Sequence, residues 1–295
     1  MAAIIIDGKA IGTKVRAEAK NRALLLREKS IVPTLAVVLV GADPASLSYV
    51  TAKEKALAEA DMESRDIRLD ASCTEAELLA LIDGLNRDPA VHGILVQLPL
   101  PGHISEDKVI AAINPAKDVD GFHPVSVGNM VLGRPGFLPC TPHGVLVLLR
   151  ELKIPTAGAH AVIVGRSNIV GKPLANLMTR RDVNSTVSVC HTGTVDLPRY
   201  TREADILIAA AGKAGLITPD MIKPGAAVID VGVNRVPDST AKNGFRLRGD
   251  VDPGAAEIAG YLTPVPGGVG PMTIAMLMQN VVLAAEQISN NGEKK

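Results

Sequence analysis

The sequence predicts an α/β protein with two domains. Six short apolar runs recur along its 295 residues, and segments with a helical spacing of apolar residues lie between several of them. Continuous apolar strands that alternate with helices are typical of a parallel sheet covered on both faces. A chain of this length normally forms two domains of roughly 100–200 residues.

Each predicted strand is a short run dominated by Val, Ile, Leu and Ala and bounded by turn residues or charges. The six runs are TLAVVLVG (34–41), GILVQLPL (93–100), AHAVIVG (159–165), TVSVCH (186–191), DILIAAAG (205–212) and AAVIDVG (226–232).

The predicted helices combine apolar spacing with start signals. Thr74 and Ser105 are suitable N-cap residues because acidic residues follow each of them. The helical segments are LLREKS (25–30), PASLSYVTAKEKALAEADM (44–62), TEAELLALIDGLNRD (74–88), SEDKVIAAIN (105–114) and GPMTIAMLMQNVVLAAEQISNN (270–291).

The segment 114–144 is rich in Gly and Pro and has little periodicity, which predicts a long connection. A domain boundary is expected near its end. The prediction is a substrate and catalytic domain over 1–140, to which the C-terminal helix 270–295 returns, and a nucleotide-binding domain over 141–269.

The composition favours a small-molecule ligand in the cytoplasm. The 31 basic and 31 acidic residues cancel, whereas nucleic-acid and membrane surfaces usually require a basic excess. The N-terminal apolar run stops at Asp7, and the apolar runs of the sequence are shorter than a membrane span. Cys73, Cys140 and Cys190 are widely spaced and lack C-x-x-C pairing, so we expect buried thiols and no metal site.

The stretch VIVGRSNIVGKP resembles a nucleotide-binding turn with two glycines displaced. Gly165 ends a strand, but Ser167 and Val170 stand at the next two glycine positions of G-x-G-x-x-G, and Gly171 comes one residue late. Ser167 can add a hydroxyl donor, Gly171 permits close packing of helix on strand, and the helix start favours a phosphate. A purely structural strand-to-helix turn is the alternative.

The end of the next strand favours NADP over NAD. In NAD sites an acidic residue about 20 positions on binds the ribose 2′-hydroxyl. Here TVSVCH ends in His191 and Thr192, and Arg166 follows Gly165. His191 as an ordinary strand-end histidine is the alternative.

One face of the helix after the first apolar strand carries Ser46, Tyr49 and Lys53, at i, i+3 and i+7. A lysine held in a pocket can exchange protons near neutral pH, and a phenol can position the reacting group. An exposed lysine-rich helix face is the alternative. The Y-x-x-x-K pattern of short-chain dehydrogenases does not fit, because there it follows the nucleotide turn.

Three further features place polar groups or stiff turns at candidate ligand sites. Gln97 interrupts an apolar strand at its carboxyl end, where open α/β sheets bind ligands. Asp118 and Asp120 lie beside Gly121 and fit either a binding role or Asx turns. The segment TPVPGGVGPMT (263–273) predicts a stiff turn with backbone donors for a flat heterocycle.

Eight segments, in order over nearly the whole chain, resemble the bifunctional methylenetetrahydrofolate dehydrogenase/methenyltetrahydrofolate cyclohydrolase family. They are SLSYVTAKEKA, GILVQLPLP, KDVDGFHP, PCTPHG, VIVGRSNIVGKP, VIDVGVNR, GDVD and TPVPGGVGPMT. The resemblance implies a Rossmann-like NADP-binding domain, a cytoplasmic homodimer, and oxidation of 5,10-methylenetetrahydrofolate followed by hydrolysis to 10-formyltetrahydrofolate. NAD is the less expected cofactor, and no metal is expected.

The resemblance also implies residue roles. Lys53 is the main catalytic group, Tyr49 positions the folate, Gln97 tunes the lysine and Asp120 anchors the pterin. The implied folate-binding residues are Ser46, Tyr49, Lys53, Val96, Gln97, Leu98, Asp120, Pro266, Gly267, Gly268, Gly270, Pro271 and Thr273. The implied NADP-binding residues are Gly165, Arg166, Ser167, Val170, Gly171, His191, Thr192, Gly212 and Val233.

Other functions remain open from sequence. A dehydrogenase-only member of the family, a dehydrogenase of another small acid, and a dinucleotide-sensing protein without turnover are the alternatives. The sequence lacks the G-x-x-x-x-G-K-[ST] loop, so an ATP-dependent formate-activating activity is not expected.

Overall fold

The structure is a computed structural model that describes residues 2–241 and 244–292. The chain divides into two compact units. The first, called the six-stranded unit, contains the residues up to Gly12 and Pro139–Thr273; the second, the three-stranded unit, contains Thr13–Leu138 and the residues from Ile274 on.

The strands, in chain order, are β1 (Ile4–Ile5), β2 (Thr34–Val40), β3 (Glu63–Leu69), β4 (Gly93–Val96), β5 (His160–Val164), β6 (Thr186–Cys190), β7 (Ile206–Ala209), β8 (Ala227–Asp230), β9 (Asn234–Pro237), β10 (Phe245–Arg248) and β11 (Tyr261–Leu262). The α-helices are α1 (Gly8–Glu28), α2 (Pro44–Glu59), α3 (Glu75–Arg87), α4 (Glu106–Ala112), α5 (Pro124–Val131), α6 (Cys140–Glu151), α7 (Gly171–Met178), α8 (Leu197–Thr201) and α9 (Val269–Gly292). The six predicted strands are confirmed as β2, β4, β5, β6, β7 and β8.

The three-stranded unit contains a parallel sheet in the order β3-β2-β4. The central strand β2 is buried along its whole length, as expected for a strand enclosed on both faces. Its alternate residues Ala36, Val38 and Val40 share one apolar core with the buried face of α3. The sheet thereby fixes the carboxyl ends of β2 and β4, which precede α2 and Gln97.

The strand β3 was not predicted because its sequence, ESRDIRL, is mostly charged. The strand lies at the edge of the sheet and is only partly buried, so polar side chains are tolerated there. A continuous apolar run identifies a central strand, and it does not identify an edge strand such as β3.

The prediction of a structureless connection over 114–144 is wrong in its middle and at its end. The helix α5 begins at Pro124, and His123 caps it by accepting the amide of Val125 at 3.0 Å. Proline in the first turn loses no hydrogen bond, so Pro124 starts this helix instead of breaking it. The helix α6 begins at Cys140, inside the same segment.

The C-terminal helix α9 packs on α1 within the three-stranded unit, as predicted. The guanidinium of Arg22 donates to both carboxylate oxygens of Glu286, at 2.9 and 2.6 Å, and to the side-chain oxygen of Gln279. Asn280 donates to the carbonyl oxygens of Val119 and Leu138. The stretch Val269–Ser289 is long and apolar enough to cross a membrane, but 61% of its most apolar window is buried, and core helices of soluble proteins meet the same criterion.

The six-stranded unit contains a parallel sheet in the order β1-β11-β8-β7-β5-β6. The chain places β6 on one side of β5 and β7 on the other. This reversal is the switch point at which open α/β sheets bind ligands, outside the carboxyl ends of the strands. The Rossmann-like fold expected for this part of the chain is confirmed.

The strand β1 lies in this second sheet, where it pairs with β11. Its two isoleucines are more than half exposed, so the strand has no pattern of buried residues from which this pairing could be predicted. The three cysteines are buried free thiols, as expected.

Candidate active site

The predicted polar stripe lies on α2, whose start is set by Asp43. The Asp43 carboxylate accepts the Ser46 amide at 2.8 Å and caps the helix. Ser46 and Lys53 are buried, with 4% and 8% of their surface exposed, while Tyr49 is 43% exposed. The alternative of an exposed lysine-rich face is therefore wrong for Lys53.

Gln97 contacts Lys53 from the end of β4. The backbone amide of Gln97 continues the sheet by donating to Val38 O at 2.8 Å. Its side-chain NH₂ donates to Leu98 O at 2.8 Å, and its Oε1 accepts the Lys53 ammonium at 3.0 Å. Val96 thus ends β4, and Gln97 and Leu98 follow it at the carboxyl end of the strand, where the sequence predicts a ligand site.

Asp120 belongs to the same electrostatic group. Burial raises the pKa of its carboxyl to about 6, the positive charge of Lys53 opposes that rise, and the neighbouring Asp118 adds to it. A partly buried carboxyl near an ammonium can bind a ligand that offers several N–H donors. The structure therefore brings together Lys53, Gln97 and Asp120.

A structural role applies to Asp118, whose carboxylate bonds to amides four and five residues further along the chain. Its carboxylate accepts the amides of Phe122 and His123, at 3.3 and 2.9 Å, and it is 2% exposed. Asp118 thus fixes the loop that carries Asp120. The residue types and spacing alone did not separate the two aspartates, and only the family resemblance singled out Asp120.

The nucleotide turn follows β5 and depends on both of its glycines. Gly165 has φ +130°, and a Cβ atom there would lie 2.1 Å from Ala210 O. A Cβ atom at Gly171 would lie 2.2 Å from Gly165 O. Helix and strand therefore approach as closely as the sequence predicted.

Ser167 stabilises the backbone that leads into the helix α7, whose N-cap residue is Val170. Its Oγ accepts the amides of Val170 and Gly171, at 3.1 and 3.4 Å. Its hydroxyl hydrogen is still available for a phosphate oxygen, because a hydroxyl can accept and donate at once. Arg166 and Ser167 are both exposed.

The end of β6 supplies no acidic side chain toward the turn. His191 Nδ1 accepts the Gly193 amide at 3.1 Å, and Thr194 Oγ1 accepts the His191 amide at 2.8 Å. Thr192 is exposed in the tight turn that results. A hydroxyl side chain is thus available where an NAD site would carry a carboxylate.

The segment 263–273 is a turn followed by the first turn of α9. Gly267 has φ +111°, and a Cβ atom at Gly268 would lie 2.6 Å from Pro264 O. The predicted helix start at Gly270 is confirmed to within one residue, since α9 begins at Val269, and Gly270, Pro271 and Thr273 are helical. Pro271 lies in the first turn, where a missing amide hydrogen has no cost. Thr273 Oγ1 is 2.8 Å from Thr141 Oγ1.

Two buried carboxylates at the carboxyl edge of the six-stranded sheet were missed. Asp230 ends β8 and Asp250 follows β10, with 4% and 0% of their surface exposed. Burial raises the pKa of Asp230 to about 6. The available signal was an aspartate within two residues of a glycine near a strand end in both D-V-G-V and G-D-V-D.

Within the described ranges 2–241 and 244–292, no group of three or more His, Cys, Asp or Glu side chains is arranged to hold a metal ion.

Models of known protein families match both parts of the chain. A model described as "Tetrahydrofolate dehydrogenase/cyclohydrolase, catalytic domain" matches residues 6–120, and the model of the NAD(P)-binding domain of the same enzymes matches residues 139–289. The chain belongs to the tetrahydrofolate dehydrogenase/cyclohydrolase family. This membership confirms the resemblance of the eight segments.

Members of the family align over nearly the full length. The "Bifunctional protein FolD" of Prosthecochloris aestuarii is 57% identical over 285 residues, which cover 95% of this chain and 97% of the relative. The crystal structure of the bifunctional FolD methylenetetrahydrofolate dehydrogenase/cyclohydrolase from Campylobacter jejuni is 49% identical, with a TM-score of 0.92 over 97% of this chain and 99% of that chain. The Trypanosoma brucei enzyme, solved with NADP and an inhibitor, is 37% identical, with a TM-score of 0.92 over 97% and 98%.

Proposed function

We propose that this enzyme oxidises 5,10-methylenetetrahydrofolate with NADP and hydrolyses the methenyl product to 10-formyltetrahydrofolate. The observation that carries the proposal is the buried Lys53, bonded to Gln97 and charge-coupled to Asp120. Neither a dinucleotide sensor nor a dehydrogenase that needs only hydride alignment requires such a group. The bifunctional relatives at more than half identity support the same pair of activities.

The folate is held through its pterin ring in this proposal. An ionised Asp120 accepts N–H donors of the ring, and Tyr49 lies against the folate from the exposed side of α2. The turn from Pro266 to Gly268 and the first turn of α9 complete the folate-binding residues. Binding of this kind aligns the methylene carbon for transfer, which is the main requirement of the dehydrogenase step.

NADP supplies the hydride acceptor when it is bound. The residues proposed to hold it fit a dinucleotide, because Gly165 and Gly171 leave the backbone free of Cβ atoms and Ser167 offers a hydroxyl. Arg166 and Thr192 are proposed to favour the 2′-phosphate, with His191 beside them. Val170, Gly212 and Val233 complete the cofactor-binding residues.

The hydrolysis step uses Lys53 as the proton carrier. Water adds to the cationic methenyl carbon and loses one proton, which leaves a neutral hydroxyl adduct. One carbon–nitrogen bond of the ring then opens as the hydroxyl loses its proton and becomes the formyl carbonyl. The released nitrogen takes up one proton, so that one proton is released to solvent overall. Lys53 lies on a helix fixed at Asp43 and is oriented by Gln97, so that one amine can move the proton between these positions.

We further propose that the enzyme is a cytoplasmic homodimer that binds neither nucleic acid nor membrane. The balanced charge supports the absence of an anionic polymer partner. Light scattering of the purified protein measures the oligomeric state, and a monomeric mass at micromolar concentration would contradict a dimer.

A spectrophotometric assay tests the function directly. Purified enzyme is mixed with methylenetetrahydrofolate and either NADP or NAD, and both the reduced cofactor and the methenyl absorbance are followed. We expect faster reduction of NADP and decay of added methenyltetrahydrofolate. Reduction without methenyl decay would indicate a dehydrogenase-only enzyme, and absence of folate-dependent reduction would contradict the proposal.

A further inference from the structure

Three exposed loops meet at the carboxyl edge of the six-stranded sheet. They follow β5 at Gly165, β7 at Ala211 and Gly212, and β8 at Val233. The switch point lies between β5 and β7, so these loops surround the place where a dinucleotide binds in this fold. Exposed loops need internal support to hold such a ligand in one position.

Asp250 supports two of these loops from beneath. Its Oδ2 accepts the amides of Ala211 and Gly212, at 2.6 and 2.8 Å, and its Oδ1 accepts the side-chain NH₂ of Asn234 at 2.9 Å. The carboxylate is fully buried although the residues that it holds are on the surface. It therefore joins the loop after β7 to Asn234 at the start of β9.

Asp230 holds Asp250 in place. Its Oδ1 accepts the amides of Gly232 and Asp250, at 3.0 and 2.9 Å, and its Oδ2 accepts the Val251 amide at 2.9 Å. A carboxylate suits both positions because it accepts several hydrogen bonds and donates none. The two aspartates thus receive six N–H groups between them.

The flanking glycines make this arrangement possible. A Cβ atom at Gly232 would lie 2.1 Å from Asp250 Oδ1, and one at Gly249 would lie 1.8 Å from Asp230 Oδ2. Asp250 thus occupies the space that a side chain at Gly232 would need, and Asp230 occupies the space that a side chain at Gly249 would need. The motifs D-V-G-V and G-D-V-D are consequently one interlocked structure, although 20 residues separate Asp230 and Asp250.

The third loop is joined through Gly165, whose missing Cβ leaves room for Ala210 O. A displacement of the loop after β7 would therefore also displace the nucleotide turn and the backbone at Val233.

We propose that Asp250, held by Asp230, is a positioning residue for the cofactor. It fixes the exposed backbone at Ala211 and Gly212 against the turn at Val233, so that these loops accept the dinucleotide without rearranging. The role rests on the proposed function, since the ligand of these loops is NADP. Preorganisation of this kind lowers the cost of binding and maintains the alignment that hydride transfer requires.

The variant Asp250→Asn tests the role with little change in shape. An asparagine at 250 places an NH₂ group toward either the two amides or the NH₂ of Asn234, so at least one donor loses its acceptor. We expect the KM for NADP to rise about tenfold, which is the usual effect of a lost charged hydrogen bond. Hydrolysis of added methenyltetrahydrofolate in the absence of cofactor should stay within about twofold of wild type, since its proton carrier Lys53 is held by residues that make no contact with Asp250.

Two further variants separate positioning from general stability. Asp252→Asn changes the second aspartate of the same motif, which caps a short 3₁₀ turn by accepting the Gly254 amide at 2.8 Å, and it should leave the KM for NADP unchanged. The double variant Asp250→Asn with Asn234→Asp exchanges donor and acceptor across the pair, and we expect it to recover most of the lost NADP affinity.

The outcomes are distinct. An unchanged KM for NADP in Asp250→Asn, an equal loss of both activities, or no recovery in the double variant would each overturn the proposal. If Asp250→Asn does not fold, Asn234→Ala removes one partner at a partly exposed position and should raise the KM for NADP several-fold; no rise there would also overturn the proposal. Absence of folate-dependent NADP reduction in the wild-type enzyme would instead contradict the proposed function.

Discussion

The Lys53 ammonium donates a 3.0 Å hydrogen bond to Oε1 of Gln97, although the two residues are 44 positions apart. The amide has no freedom to reverse, because its NH₂ group donates to Leu98 O at 2.8 Å. Gln97 therefore always presents an acceptor to Lys53. The relationship defines how the lysine is held in the three-stranded unit, and the predictions for the hydrolysis step follow from it.

Replacing Lys53 by methionine should separate the two activities. Methionine keeps the apolar stem of the side chain but carries no proton, so hydrolysis of methenyltetrahydrofolate should fall by at least about 100-fold, as expected for the loss of general acid–base catalysis. Part of the dehydrogenase activity should remain, since hydride transfer depends mainly on alignment. Lys55→Met is the matched control, because the Lys55 side chain is 78% exposed on the same helix. Equal loss of both activities with folate still bound would contradict a proton-carrying role.

Replacing Gln97 by glutamate should move the pH profile of hydrolysis. A carboxylate of nearly the same shape beside the Lys53 ammonium stabilises the charged form of the amine. The pH profile of hydrolysis should then move to higher pH, while the KM for NADP stays unchanged. Initial rates measured from pH 6 to 9 test this, and an unmoved profile would show that Gln97 does not tune the lysine.

Asp120 should make folate binding depend on pH. Burial raises the pKa of Asp120 to about 6, so only about one tenth of it is ionised at pH 5. If the ionised form anchors the pterin, the KM for methylenetetrahydrofolate should rise about tenfold between pH 7 and 5 in the wild-type enzyme. In Asp120→Asn the KM should be high at pH 7 and nearly independent of pH. A retained acidic rise in that variant would assign the effect to another group.

The raised pKa of Asp120 also determines how the free energy of unfolding changes with pH. The pKa of Asp120 is higher in the folded protein than its ordinary value of 3.8. Its contribution to the free energy of unfolding is therefore complete below about pH 4 and is lost as the pH rises through about 6. Thermal unfolding of Asp120→Asn across this range should lack that part of the pH dependence.

Cofactor preference should depend on Arg166 and Thr192. Arg166→Ala should lower kcat/KM for NADP by roughly 10–100-fold, the usual cost of a lost charged contact, with a smaller effect on NAD. Thr192→Asp places a negative charge at the end of β6 and should favour NAD over NADP. Arg181→Ala is the control, because Arg181 is exposed in the loop before β6, at the opposite edge of the sheet. Equal changes with both cofactors would contradict recognition of the 2′-phosphate.

The sequence predicted the buried parallel strands well, because enclosure on both faces imposes continuous apolar runs such as β2 and β5. It missed β3 and β1, whose partly exposed edge positions impose no such pattern. It also missed α5, because a segment rich in Gly and Pro is typical of a connection, whereas Pro124 begins the helix. Local spacing likewise predicted the stripe of Ser46, Tyr49 and Lys53, since all three lie on one helix.

The sequence by itself determined the α/β class, the glycine-dependent turn at Gly165 and the family to which the chain belongs, because these depend on local patterns and ordered motifs. Only the tertiary structure decided which polar residues act together. In the structure Gln97 accepts a hydrogen bond from Lys53, and Asp120 lies close enough to the lysine to feel its charge. Asp118 instead binds backbone amides of its own loop, and Asp230 accepts the backbone amide of Asp250. The physical reason is that hydrogen bonds and charge coupling between distant segments depend on chain folding, which leaves no periodic signal in the sequence.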